Sequence, residues 1–334
     1  MRKLVIDKLI EVLGGENKIL QTVTSFIDKK ENYGYWEIFS KEDEIIKLLG
    51  TNILLSRNTI TGLFYFIKNA RTVLYPSEDL FISLINTKFY NIPLSEVKIP
   101  YPSFYILFPQ NAFSVSRYLN NGYKVIKDKF IVEGAIVTQA KVGSTEFFLI
   151  PQEDSRKTNE KFLGHHFWIN FNNVKNKTFK EIIPKLSKTF KESIVSPEDF
   201  FNDFLSILIN FLLFYSMPKE LAATVVDDEY ISLINELFKK RSSKKINKLK
   251  RKLDKISPSK IEKITPRINI VWKLDKNRNE TYNDSSIKNK MRLHIVSGHW
   301  KIVHTRRGAK FTYVQPYWRG NKEKGLTRKI NIIK

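Results

Sequence analysis

The chain contains no cysteine among its 334 residues. Disulfide frameworks, thiolate zinc sites and cysteine nucleophiles are therefore excluded, and the absence of thiols is compatible with a reducing cytosol. Glycine and proline are sparse, at 13 and 12 residues, which removes collagen-like and proline-rich classes. Histidine is scarcer, with five residues in all. There is no Walker A loop, no G-x-G-x-x-G, no H-E-x-x-H and no paired-carboxylate signature of two-metal nucleases. The first residues, MRKLVIDKLIEVLGG, are interrupted by Asp7, Lys8 and Glu11, so no secretory signal is expected. The most apolar run, FFNDFLSILINFLLFYSM at 200–217, carries Asn202, Asp203, Ser206 and Asn210. A spanning helix needs ~20 mostly apolar residues, so this run reads as a buried core helix, and no membrane partner is expected.

Apolar and cationic residues are abundant. Hydrophobic residues make up 42% and aromatics 13%, enough to bury a real core rather than remain disordered. The net charge of +23 is unevenly placed. Residues 239–334 hold 29 Lys and Arg against 6 Asp and Glu, whereas residues 1–238 hold 28 of each. The whole excess therefore lies in the last 96 residues. A lysine-rich composition with a solvated basic face would raise both parts alike. The asymmetry points instead to a polyanionic partner such as nucleic acid or the ribosome.

The first ~90 residues read as helices on their apolar spacing, with Gly14-Gly15 and Gly50 as stops. Pro100 and Pro102 end that pattern. Short β-prone segments at 103–108, 112–118, 123–127, 130–140 and 145–151 then predict an antiparallel meander, with HHFWIN (165–170) as a further strand. Ser196-Pro197-Glu198-Asp199 is a strong helix start for the buried helix, and another helix is expected from about 228 to 240. The fold class is α+β: a helical N-terminal part (1–98), a central antiparallel sheet packed by a long apolar helix (99–238), a basic linker or helix (239–266) and a basic C-terminal β module (267–334). Within that module RINIVWKL (267–274) reads as a strand, and HWKIVH with KFTYVQPYW reads as a hairpin tipped by Arg306 and Arg307.

Three of the five histidines, His294, His299 and His304, fall within eleven positions beside Trp300, Arg306, Arg307 and Lys310. No acid lies between residues 285 and 322. On one regular strand His294 and His304 share a face and His299 points away, so a metal site needs a bulge and lacks a carboxylate; neither metal nor cofactor is expected. Imidazoles can serve as base and acid in metal-independent RNA cleavage, with arginines holding the phosphate, which makes the three histidines candidate catalytic residues of an endoribonuclease. Binding without chemistry is equally served. Trp300, Tyr313, Tyr317 and Trp318 offer rings for unpaired bases, and Arg306, Arg307, Lys310 and Arg319 offer cations for phosphates. Alternatively, His299-Trp300 forms a core pair. His165-His166 is read as structural.

The motif H-x-x-x-G-H-W from His294 to Trp300, followed by basic residues, an aromatic strand and P-Y-x-R-G from Pro316 to Gly320, resembles the C-terminal signature of the type V-A anti-CRISPR protein two family. IPYPSFYILFP (99–109) and the apolar helix at 200–217 are similar in place and character. Ser297 departs from the pattern, standing where that family has a basic residue. The resemblance implies a phage- or plasmid-borne protein of the host cytoplasm that lowers the messenger RNA of a CRISPR effector nuclease and recognises the emerging peptide. His294, Gly298, His299, Trp300 and Arg319 are the matched positions. The expected partner is RNA, together with the ribosome or a nascent peptide. The alternatives are a non-catalytic DNA- or RNA-binding regulator of the mobile element and a protein-interaction inhibitor.

Overall fold

The computed structural model describes residues 3–27, 38, 40–50, 59–88, 92–110, 114–120, 125–139, 144–151, 165–170, 177–182, 205–216, 222–227, 229–237, 243–266, 292–296, 298–305, 308–314, 317–319 and 321–326. The fold is α+β. Among the described residues it opens with the helices α1 (Val5–Val12), α2 (Glu16–Ser25), α3 (Glu42–Leu49) and α4 (Thr59–Lys68). Gly14 and Gly15 stand at φ +94 and +88 between α1 and α2, a left-handed turn that only glycine makes freely. Helix α4 ends in two non-glycine residues of positive φ, Ala70 and Arg71. Such backbone persists when surroundings fix it. Here the Arg71 guanidinium is held by the carboxylates of Asp7 and Glu16.

A sheet of eight strands follows, in the order β7-β6-β5-β3-β1-β9-β8 with β4 paired to β5. The strands are β1 (Thr72–Pro76), β3 (Ser103–Leu107), β4 (Ser114–Asn120), β5 (Val125–Gln139), β6 (Ser144–Pro151), β7 (His165–Asn170), β8 (Ala222–Asp227) and β9 (Lys260–Pro266). Its inner residues alternate between two cores. Val73, Tyr105, Leu107, Ile136 and Ile261 face α1–α4. Leu74, Phe104, Ile106, Ala135, Val137 and Ile264 face the opposite layer, built from α5 (Glu78–Ile85) and α6 (Ser206–Tyr215). With both faces covered, a central strand reads as a continuous apolar run, and β3 is buried at all five positions. Gly134 of β5 lies so close to β3 that a Cβ there would fall on the Ile106 carbonyl and the Tyr105 ring.

Strands β3–β7 pair antiparallel, as their alternation predicts, but they are not the simple meander expected. The segments 123–127 and 130–140 are one continuous strand, β5, whose first half pairs with β4 and whose second half pairs with β3. The sheet as a whole is mixed, which corrects the expectation of an antiparallel one. Strand β1 pairs in parallel with β3 and with β9, and β1 comes from the segment read as helical, β9 from the segment read as linker. The run Thr72-Val73-Leu74-Tyr75-Pro76 is too short and too uniformly apolar to declare its period. Strand β9 conceals its place because Glu262 is buried in it. That carboxylate is neutralised by Lys260 at 2.7 Å and accepts from the Tyr101 hydroxyl at 3.1 Å.

Helix α6 is apolar all round, which fits burial on every side; Ser206 through Phe214 are all buried. Among the described residues no helix is long and apolar enough to cross a membrane. Among the described residues the helices α7 (Glu229–Leu237) and α8 (Ser243–Leu253) precede β9. Among the described residues the tail contributes to two three-stranded sheets. One orders β13 (Tyr317–Arg319), β10 (Arg292–Val296) and β14 (Asn321–Leu326), and the other orders β12 (Gly308–Val314), β11 (Gly298–Thr305) and β2 (Thr87–Lys88). The expected strand at 267–274 and helix start at 196–199 lie outside the described residues.

Candidate nucleic-acid interface

The H-x-x-x-G-H-W motif is divided between the two small sheets. His294 lies on β10 and pairs with Arg319 of β13, followed by Ile295 with Trp318 and Val296 with Tyr317. The two specific motifs of the tail, separated by some twenty residues, thus meet as an antiparallel pair, with partner Cα atoms about 4.5–5.5 Å apart. His299 and Trp300 begin β11 on the other sheet.

Strands β11 and β12 form the expected hairpin. Their pairing runs without a register break from His299–Val314 to Thr305–Gly308. His299 and His304 therefore have opposite parity on one unbroken strand. His304 is paired with Ala309, and Lys310 with Val303. For His294, His304, Lys310, Tyr317, Trp318 and Arg319 these backbone positions are what the structure describes. Arg306 and Arg307 lie outside the described residues. Among the described residues no three His, Asp or Glu side chains gather as a metal site.

Trp300 is a core residue. It is 6% exposed, and its indole N–H donates to Oδ1 of the buried Asn210 at 2.9 Å. The amide of Asn210 donates in turn to the carbonyls of Leu84 at 3.0 Å and Thr87 at 2.9 Å. One side chain in the middle of α6 thus ties the end of α5, the start of β2 and the motif tryptophan together. Tyr313, directly across from Trp300, stacks obliquely on it with ring centroids 4.8 Å apart and meets Phe214 edge-on at 5.9 Å. Its hydroxyl is shared with Thr87 at 3.0 Å and with Ser83. Burial raises the Tyr313 phenol above its ordinary value, against the pull of these two hydroxyls. Two rings that the sequence offers for base stacking are therefore packed against α5 and α6.

Those buried contacts determine what faces outward. Along β11 the side chains alternate, so His299 and Lys301 are exposed on either side of the buried Trp300. Strand β2 pairs in parallel with the start of β11, placing Thr87 beside Gly298 and Lys88 beside His299. Thr87 and Gly298 are buried, and Lys88 is exposed. Lys88, His299 and Lys301 thus share one outward face. Neighbouring strands lie about 4.8 Å apart and alternate residues about 6.8 Å apart along a strand, a spacing suited to successive phosphates. Sequence reasoning missed Lys88, because a two-residue strand has no periodicity and its partner lies more than two hundred residues downstream.

A family model described as AcrVA2-like, the anti-CRISPR type V subtype A2 family, matches residues 75–319. Among solved structures the chain is similar to a crystal structure of AcrVA2, at 11% identity and a TM-score of 0.43, over 94% of this chain and 95% of that one. No curated protein matches the chain.

Proposed function

The chain belongs to the anti-CRISPR type V subtype A2 family, and from that premise we propose that it is a mobile-element protein of the host cytoplasm that lowers the messenger RNA of a type V effector nuclease by engaging RNA. The RNA is met by the C-terminal β module, with the ribosome or the effector's nascent peptide as the accompanying partner. The carrying observation is the exposed face of Lys88, His299 and Lys301, held by a motif tryptophan whose own ring is buried. Cations on a rigid pleated surface neutralise phosphates without a folding step at the moment of binding. The concentration of all net charge in residues 239–334 supports the same partner.

The reading is of binding without cleavage by this chain. Metal-independent cleavage needs an acid and a base converging on one phosphate. The opposite parity of His299 and His304, and the place of His294 in a different sheet, support engagement rather than chemistry. Loss of the message then falls to a host ribonuclease.

The test is co-expression with a type V effector gene, reading effector mRNA by quantitative PCR. Lys88→Gln with Lys301→Gln is expected to restore mRNA at least fivefold towards the level without the protein, at equal protein abundance. Purified wild-type chain is expected to retain the message on a filter and leave it uncut. An unchanged effect in the double variant, or no RNA retention by wild type, refutes the reading. Salt-insensitive capture of the effector protein alone would identify a protein-interaction inhibitor instead.

A further inference from the structure

Helix α8 reads SKKINKLKRKL and carries six cations and no acid. Its apolar residues do not face solvent. Leu249 is buried, Ile246 and Leu253 are half-buried, and the helix packs against α7. Lys244, Lys245, Lys248, Lys250, Arg251 and Lys252 are all exposed. At 3.6 residues per turn, all of these but Lys250 fall within an arc of about 120°. Among the described residues no acid pairs with any of them.

Such an arrangement is unfavourable for a helix that serves only as scaffold. Lys244–Lys248 and Lys248–Lys252 are like charges at i,i+4, and Lys245–Lys248 and Lys248–Arg251 are like charges at i,i+3, each pair weakening the helix. The three cations of the last turn gain from the helix dipole, but Lys244, Lys245 and Lys248 do not. A polyanion lying along the stripe would relieve the repulsion.

We propose that α8 is a docking surface for the phosphate backbone of paired nucleic-acid strands, separate from the C-terminal interface and independent of it. Three observations select this occupant. The five cations of the arc span about 12 Å of helix axis, a length over which a duplex presents about seven phosphates. The helix has no aromatic residue, so it offers no platform for unpaired bases and suits a duplex, whose bases are already stacked. Its apolar face is covered, whereas a membrane-surface helix needs that face free to enter the lipid. The helix therefore supplies affinity without sequence reading, and a stem of a folded RNA is the form that accords with the function proposed above.

The test uses the full chain and a fluorescent 20-base-pair RNA duplex, with a single strand of equal length and phosphatidylserine vesicles as comparators, titrated across salt. Lys244→Gln with Lys248→Gln and Arg251→Gln is expected to weaken duplex binding at least tenfold and to reduce the slope of log K against log salt by about 2–3 units, near 0.9 for each phosphate that is no longer neutralised. The variant Lys244→Arg with Lys248→Arg is expected to bind as wild type, which separates charge from folding. Lys88→Gln with Lys301→Gln is expected to leave the duplex slope contributed by α8 in place, so failure of either proposal is visible by itself. Duplex affinity and slope unchanged in the triple variant would overturn the proposal. Weakening confined to the single strand or to the vesicles would also overturn it.

Discussion

Glu133, near the middle of β5, caps the first helix from the sheet face on which that helix packs. The Val5 N–H donates to its carboxylate at 2.9 and 3.0 Å, and the Tyr105 hydroxyl donates at 3.0 Å. Burial nevertheless dominates and pushes Glu133 up to about 7 from its ordinary 4.5, with Asp7 adding to the rise and the Val5 N–H, Tyr105 and Lys8 opposing it. A carboxyl whose folded pKa lies above its unfolded one costs nothing while both states are protonated. As pH rises from about 4.5 to about 7 the unfolded chain ionises first, so stability falls across that window and then levels. At 1.36 kcal/mol per unit, the full loss is on the order of 3 kcal/mol. Glu133→Gln keeps an acceptor for Val5 and cannot ionise. The variant is expected to gain stability relative to wild type on going from pH 5 to pH 7.5, measured by urea unfolding at both. A difference that is the same at both pH values would show that the carboxyl titrates normally.

At the scale of elements, the join between α6, α5 and β11 passes through a single amide. Asn210 satisfies two carbonyls and one indole N–H, and each group left buried and unpaired costs about 1–3 kcal/mol. Asn210→Leu, similar in size, is expected to destabilise the chain by about 3–5 kcal/mol in urea unfolding, and Trp300→Phe by less, because it orphans only one acceptor. Equal stability of Asn210→Leu would mean that this link contributes nothing. Asn210 was visible in the sequence as an amide in the most apolar part of the run at 200–217, and such a residue must find partners; which partners it finds is decided by chain brought in from far away. The same division runs through the fold. Helices α1–α4, the antiparallel β5–β6 pair and the β11–β12 hairpin carry their own period or turn residues, so local reading finds them, whereas the pairing of β3 with β5 past β4 is not encoded by local spacing. The parallel pairings of β1, the place of β9 and the β2–β11 contact are long-range, and no local spacing encodes them. The face of His299 and Lys301 follows from alternation once β11 is placed, but the burial of Trp300 rather than its exposure depends on α6.

For the whole molecule, the cationic third is built into the body instead of hanging from it. Strand β9 lies between β1 and β8, inside the main sheet. Ile261 enters the core under α1–α4, and Ile264 and Trp300 enter the core under α5 and α6. Further bonds close the arrangement: Lys3 N–H to the Lys255 carbonyl at 2.9 Å, Ser77 N–H to the Ile264 carbonyl at 2.8 Å, and the Ser259 hydroxyl to Asp7 at 3.0 Å. Removing residues 239–334 would strip an internal strand, leave the inner edge of β1 unpaired and uncover apolar surface on both faces. Lost burial of about 1.5–3 kcal/mol for each large apolar side chain quickly exceeds the 5–15 kcal/mol that holds a typical domain. A chain ending at residue 238 is therefore expected to lack near-UV circular dichroism and a cooperative urea transition, whereas the full chain unfolds in one step. A separable tail would give the opposite result, a truncated body with native near-UV signal and an unchanged midpoint. If the integrated architecture holds, charge-removing point substitutions on α8 and β11 are the means of separating polyanion binding from folding, because deletion of the basic third abolishes both at once.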